Sequence, residues 1–258
     1  MRRPIFGVFL AALTFYLLTL APTVLWGDDA ELQRRAYLLD LGAGVRGHPL
    51  YIVWAHVFTR LPIGDVAFRV NFCSAVSATA GVVLVYALLR RRVGTGAAMA
   101  GAGALAVSQA YWMHAVRAEV YSGYLALFAL SLYAGVGWLE GRKPAWLGLC
   151  AFALSLAGSV HLLALTALPA LIYLFGVSLA RDRDWRAVAC GLGGFLLGAL
   201  PLALFLSPAG WTELAGQLTA TARGGLELQP GRWGADALLG AGYLLYQFPL
   251  TLPLAAAG

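Results

Sequence analysis

Along this chain, long apolar runs alternate with short polar clusters. The runs lie near 5–25, 65–89, 94–112, 118–139, 145–160, 161–180, 187–206 and 237–257. A helix of about 20 apolar residues crosses roughly 30 Å of hydrocarbon. Lipid offers no partner to a free N–H or C=O, so each run predicts a helix. The strand-like alternation of an outer-membrane barrel is absent. The pattern predicts an all-α, polytopic transmembrane helix bundle of about eight spans, with residues 1–258 forming one module. Pro169 and Pro201 fall inside predicted helices, which membrane bundles tolerate.

The stretch 49–62 is apolar but too short to span. Leu50, Val53, Trp54, Val57, Phe58 and Leu61 follow a spacing of three and one, which places them on one helical face. His56, Thr59 and Arg60 fall opposite. This predicts an amphipathic helix lying on the outer surface, within a large first outer loop over residues 26–64. A second outer loop is expected over 207–236.

Charge fixes the expected orientation. A cytoplasmic start places Arg2, Arg3, Arg90, Arg91, Arg92, Arg142, Lys143, Arg181, Arg183 and Arg186 on the inside. Those are ten of the 18 basic residues, joined by three of the 12 acidic ones, Glu140, Asp182 and Asp184. The outside then holds eight basic and nine acidic residues. Such asymmetry is the positive-inside rule, and it points to a multi-pass inner (plasma) membrane protein with its chemistry on the outer, periplasmic face.

Composition agrees. Hydrophobic residues make up 60% of the chain and charged residues 12%, against about 25% charged in soluble domains. The net charge of +6 is explained by helix ends, so nucleic acid is not an expected partner. The first run is too long for a cleaved signal and lacks an A-x-A-like site. Cys73, Cys150 and Cys190 lie in apolar runs without ligand spacing and read as small buried residues.

Candidate chemistry gathers at the outer edge. Trp26-Gly27-Asp28-Asp29-Ala30-Glu31 places three carboxylates within four residues. Asp28 and Glu31 share a helical face, and the pattern also fits a capping box; catalysis and capping both stand. His48, Arg69, Asn71, His114, Arg117, Glu119, Tyr121, His161, Arg232 and Trp233 converge on the same side by topology. Ionisable groups at a membrane are costly and mark partners or function. Arg69 pairing with Glu119 or Asp65, and Arg117 with Glu119, are the structural alternatives. Tyr111, Trp112 and Trp233 read as aromatic-belt anchors. The histidines are scattered singly, so no metal motif is present. Gly94-Thr95-Gly96 follows three arginines but lacks the P-loop lysine and spacing. No cofactor is called for, and the energy of any transfer must arrive with an activated substrate from the membrane.

The stretches APTVLWGDDAEL and GHPLYIVWAHVFTRLPIGDVAFRVNFCSA resemble a family of GT-C-type membrane glycosyltransferases long catalogued as a domain of unknown function. Its animal member is a protein O-mannosyltransferase. RAEVY at 117–121 and GSVHLLAL at 158–165 fit the same family, nearly end to end. Where the family reads Asp-x-Gly-Glu, this chain has Asp28-Asp29-Ala30-Glu31. Where it reads His-Pro-Pro-Gly-Tyr-Pro-Leu-Tyr, this chain has the shorter His48-Pro49-Leu50-Tyr51.

The resemblance implies a GT-C-like fold and an inverting transfer of a sugar, mannose in the sharpest version. The donor would be a lipid-linked polyprenyl-phosphate sugar, and the acceptor a protein or glycan hydroxyl. It implies Asp28 as general base with Glu31 beside it. Arg69, then His48, Arg117 and Arg232, would bind the donor phosphate. Asp29, Asn71, Glu119, Tyr121 and His161 would support them. A transporter or lipid flippase, or a noncatalytic assembly subunit, is the rival reading. Family members usually continue further, so a longer parent chain is expected.

Overall fold

The computed structural model describes residues 2–42, 48–205 and scattered positions from 208 to 238. The expected last span at 237–257, most of the second outer loop, Arg232 and Trp233 lie outside the described residues.

Every regular element among the described residues is helical: α1 (Arg2–Leu18), α2 (Asp29–Leu38), α3 (Pro49–Thr59), α4 (Val66–Leu89), α5 (Thr95–Ala106), α6 (Gln109–Ala115), α7 (Val120–Gly141), α8 (Pro144–Val160), α9 (Leu168–Ala180) and α10 (Trp185–Phe205). A 3₁₀ segment, Leu162–Ala167, leads into α9. Among the described residues, four helices are long and apolar enough to cross a membrane, against about eight expected from the sequence: Val66–Leu89, Val120–Gly141, Leu162–Ala180 and Trp185–Phe205. The apolar helices α1, α3, α5 and α8 are shorter.

Local chemistry sets the ends. Asp65 caps α4 by accepting from the Phe68 N–H at 2.8 Å. Pro144 opens α8 and Pro169 lies in the first turn of α9, where a missing N–H costs nothing. Of the two prolines expected inside helices, only Pro201 is internal. The expected 94–112 span is two helices with a break at Val107–Ser108. The hydroxyl of Ser108 turns back to the Leu105 carbonyl at 2.8 Å, and the backbone of Ser108 is extended.

α7 packs between α4 and α8, and α8 packs against α10. The α8–α10 approach depends on small residues: a Cβ on Gly194 or Gly198 would strike the carbonyls of Gly148 and Phe152. Trp138, Leu147, Val70 and Ile52 are fully buried in the main core. A second, alanine-rich core joins α1, α4, α5 and α6. Tyr111 and Trp112 belong here rather than to an outer belt. Their polar tips bond to the Ala78 carbonyl at 2.8 Å and the Thr19 hydroxyl at 2.9 Å. Cys73 and Cys150 are buried, as read from sequence, but Cys190 is exposed.

α3 turns a different face inward than expected. Its buried residues are Pro49, Tyr51, Ile52, Ala55, Phe58 and Thr59, whereas Trp54 and Val57 are exposed. The helix is apolar nearly all round, so neighbours choose the face. α2 and α4 pack on the buried side, and His56 Nδ1–H donates to the Ala36 carbonyl at 2.7 Å.

Basic and polar ends separate. Arg91 hydrogen-bonds Glu140 at 2.7 Å, and Arg142 forms an ion pair with Asp182 at 3.1 Å, at one end. The candidate chemistry gathers at the other.

Candidate functional site: a carboxylate cluster at one end of the bundle

The site is built where the chain leaves α1 and enters α2. The Ala21 N–H donates to the Val116 carbonyl at 2.9 Å, which ties this segment to the α6–α7 turn. Gly27 then bends the chain with φ +88°, and a side chain there would press on the Arg117 guanidinium, 3.1 Å from a Cβ. Only glycine meets both demands without strain.

Asp29 and Arg117 form the centre. Asp29 is fully buried and Arg117 is 4% exposed. One carboxylate oxygen of Asp29 accepts from Arg117 Nε at 2.9 Å and lies 2.8 Å from Nη2. The same Nη2 donates to the Trp26 carbonyl at 2.6 Å and approaches Glu119 at 3.5 Å. The guanidinium also lies 4.8 Å from the Trp26 ring centre. The second Asp29 oxygen, Oδ2, and His114 Nδ1 are buried without a hydrogen-bond partner among the described residues. Such orphans are few in native proteins, and these two lie in one cluster, where His114 Nδ1 is 3.9 Å from Glu119.

Asp28 and Asp29 are adjacent, yet their surroundings are opposite. Asp28 is exposed. It occupies the N-cap position of α2, but its side chain makes no capping bond. Its carboxylate has no hydrogen bond or ion pair among the described residues, while its charge is felt by Asp29, Glu119 and His48. The capping-box expectation therefore fails. Glu31 turns instead to Arg34, with bonds of 2.9 and 3.0 Å on the exposed side of α2.

A histidine–tyrosine wall lies beside the carboxylates. His48 stacks on His161 with ring centres 5.5 Å apart. Tyr121 lies 5.0 Å from His161 and 4.7 Å from His114. Three of the chain's four histidines meet here. His48 holds the Val160 carbonyl at 2.8 Å, so Nδ1 carries the proton and Nε2 is free to accept. His161 Nδ1 accepts from the Leu163 N–H at 3.1 Å, which leaves its Nε2 as a donor when neutral.

Val160 also lines an apolar cavity of about 320 Å³ between α3, α4, α7 and α8, with Leu50, Tyr51, Trp54 and Leu127. The polar cluster and the cavity thus share a border.

The remaining candidates have other work. Arg69, expected at a donor phosphate, clamps the α3–α4 turn. It donates to the carbonyls of Ile63, Thr59 and Gly64 at 2.6, 2.9 and 2.8 Å. Neither Glu119 nor Asp65 pairs with it, because Asp65 caps α4. Arg69→Ala should lower stability by about 1–3 kcal/mol. Its donor KM should match the wild type; a raised KM in a well-folded variant would return Arg69 to the donor. Asn71 is buried and holds the α1–α2 linker through the Ala21 and Thr23 carbonyls at 2.9 and 3.3 Å, and it accepts from Gln33 at 3.2 Å. Sequence reasoning missed Arg35. Its guanidinium is buried and closes the end of α2 on the Asp40 carbonyl at 2.9 Å. The helical pattern gave no sign that this arginine faces inward.

Burial pushes the carboxyls of Asp29 and Glu119 above their ordinary values, and the Arg117 charge pulls each part of the way back. Burial pushes His48, His114 and His161 below the ordinary 6.5. Unfolded histidines take up protons at that value while the folded ones resist, so acidification below it favours unfolding. The two carboxyls act oppositely, because their folded forms hold protons better as pH falls. Comparison with His48→Asn isolates one histidine: between about pH 7.5 and 5.5 the wild type should lose more melting temperature than the variant. Equal losses would show that His48 is not held neutral.

Residues 28–184 match the family described as the protein O-mannosyl-transferase TMEM260 N-terminal domain. The chain belongs to that family. The match opens at Asp28 and takes in Asp29, His48, Arg117, Glu119, Tyr121 and His161. The mouse protein O-mannosyl-transferase TMEM260 is 27% identical over 225 residues. That alignment covers 80% of this chain and 31% of the mouse protein, so the chain spans about a third of that TMEM260 relative. No solved structure matches significantly.

Proposed function

We propose that this TMEM260-family chain carries the transfer site of a GT-C-type, inverting membrane glycosyltransferase. A sugar, mannose in the sharpest version, moves from a polyprenyl-phosphate donor to a protein hydroxyl on the outer face. The reading rests on one observation above the rest: a carboxylate, Asp28, unpartnered among the described residues, at the rim of a buried charged cluster that borders an apolar cavity. The name of the mouse relative supports the reaction class. The cavity supports a lipid-borne donor, because a prenyl chain needs an apolar channel that ends at polar groups.

In this scheme the acceptor oxygen attacks the anomeric carbon and the bond to the donor phosphate breaks. Asp28 takes the acceptor proton, and the polyprenyl phosphate leaves with the bonding pair. Its growing negative charge is met by His161 Nε2–H and Arg117, while His48, whose free Nε2 only accepts, can hold a donor hydroxyl. Glu119 and Tyr121 shape the pocket, and Asp29 holds Arg117 in place. Glu31 and Arg69 have no direct role. The charge split between the two ends supports a multi-pass plasma-membrane protein with a cytoplasmic N-terminus.

Proteoliposomes loaded with radiolabelled polyprenyl-phosphate mannose and a Ser/Thr-rich acceptor protein test the proposal. Label on the acceptor is expected. Donor movement across the bilayer without transfer would make the chain a flippase, and no effect on either would end the enzymatic reading.

A further inference from the structure

At the basic end of the bundle, opposite the carboxylate cluster, α1, α4, α5 and α7 surround a second cavity of about 200 Å³. Arg90, Arg91, Thr95 and Tyr133 give it polar walls, and Pro4 and Ile5 give it an apolar edge. We infer that this cavity binds a phosphate group, and that the phosphate is the headgroup of an anionic lipid.

Charge supports an anion. No carboxylate lines the cavity. Glu140 lies nearby, but it is shared between Arg91 at 2.7 Å and Arg92 at 3.4 Å. Arg90 has no ion pair among the described residues; its one side-chain hydrogen bond there runs to the Val93 carbonyl at 2.6 Å. One negative charge among three arginines leaves a cationic excess facing a recess.

Preorganisation supports a specific site over a diffuse patch. The Arg91 guanidinium lies 4.0 Å from the Tyr133 ring centre and 5.3 Å from that of Trp146. Stacking of this kind fixes the planar fork before a ligand arrives. Arg91 Nε is buried without a hydrogen-bond partner among the described residues. Thr95 adds a hydroxyl. The volume is several times the roughly 30 Å³ of one water, which is ample for a tetrahedral anion.

The apolar edge selects the source. On α1 next to Pro4 and Ile5, Phe6 is 61% exposed and Leu10 45%. A phosphate seated on Arg90 could extend its acyl chains along that strip. Basic pockets between membrane helices are suited to lipid headgroups. The same arginines and Gly94-Thr95-Gly96 lack the lysine of a nucleotide loop, so a nucleotide is a poor fit.

The test uses the purified full chain in neutral detergent, with phosphatidylglycerol, phosphatidylcholine or glycerol phosphate added and the melting temperature followed. Phosphatidylglycerol should raise it in a saturable way and phosphatidylcholine should not. Arg90→Gln should weaken the phosphatidylglycerol effect about tenfold or more, and Thr95→Val should weaken it less. Arg181→Gln, an exposed basic residue elsewhere, should change it less than about twofold. Arg90 makes one backbone bond, so its variant should fold even if Arg91→Gln does not. Wild-type behaviour in Arg90→Gln, or an equal loss in Arg181→Gln, would overturn the site. Glycerol phosphate binding as tightly as the lipid would overturn the lipid assignment and leave a free-phosphate site.

Discussion

Asp28→Asn is expected to leave the protein folded and to slow sugar transfer by about 10²-fold or more. The substitution keeps shape and removes only the ability to accept a proton. Asn is as good an N-cap as Asp, and here the side chain makes no capping bond to lose. Exposure adds to the argument, because a surface change away from a network costs within about 0.5 kcal/mol. Glu31→Gln is the matched control. It breaks a solvent-exposed pair with Arg34, worth about 1 kcal/mol or less, and should leave the transfer rate within about twofold of the wild type. Initial rates at saturating donor, read beside melting temperatures, separate the two. Full activity in a folded Asp28→Asn protein would remove the proposed base and, with it, the mechanism.

The helices were largely legible, because lipid leaves an apolar run few other choices. α4, α7, α8 and α10 begin and end within a few residues of the runs that predict them. The charge pattern likewise anticipated which turns share an end, and the Arg91–Glu140 and Arg142–Asp182 pairs join three of them. What stayed hidden was orientation. α3 offers apolar side chains on nearly every side, so periodicity cannot say which face its neighbours will cover. The break in the 94–112 run rests on one serine hydroxyl and was outweighed by the length of the run.

The site shows the same division. Sequence placed carboxylates, arginines and histidines at one end, and most of them do meet. It could not divide Asp28 from Asp29. Adjacent residues on a helix point about 100° apart, and the residue that decides between them, Arg117, is 88 positions away in the chain. The surroundings of Arg69 stayed hidden for a related reason. Its depth suggested a ligand, but the tight turn after α3 turns three carbonyls toward it, and a guanidinium satisfies such a set readily.

Arg117→Met is expected to destabilise the protein by about 3–5 kcal/mol, because it strands the buried Asp29 carboxylate. Against a total of about 5–15 kcal/mol, that is a large fraction. The cost should not come from the pair as such. Replacing both members with apolar residues of similar size is often neutral or better, so Arg117→Met with Asp29→Leu should be more stable than Arg117→Met alone. Arg117→Lys should fail to rescue fully, since an ammonium cannot hold Asp29, the Trp26 carbonyl and Glu119 together as the planar fork does. Transfer separates the pair's two roles. The restored double variant still lacks the bond to Trp26, which fixes the turn leading into Asp28, so its activity should remain low although its stability returns. Thermal unfolding of the wild type, Arg117→Met, Asp29→Leu and the double variant in one detergent provides the cycle. Strictly additive losses would show that Asp29 and Arg117 do not depend on each other, and recovery of activity along with stability would show that Arg117 does not position the Asp28 turn.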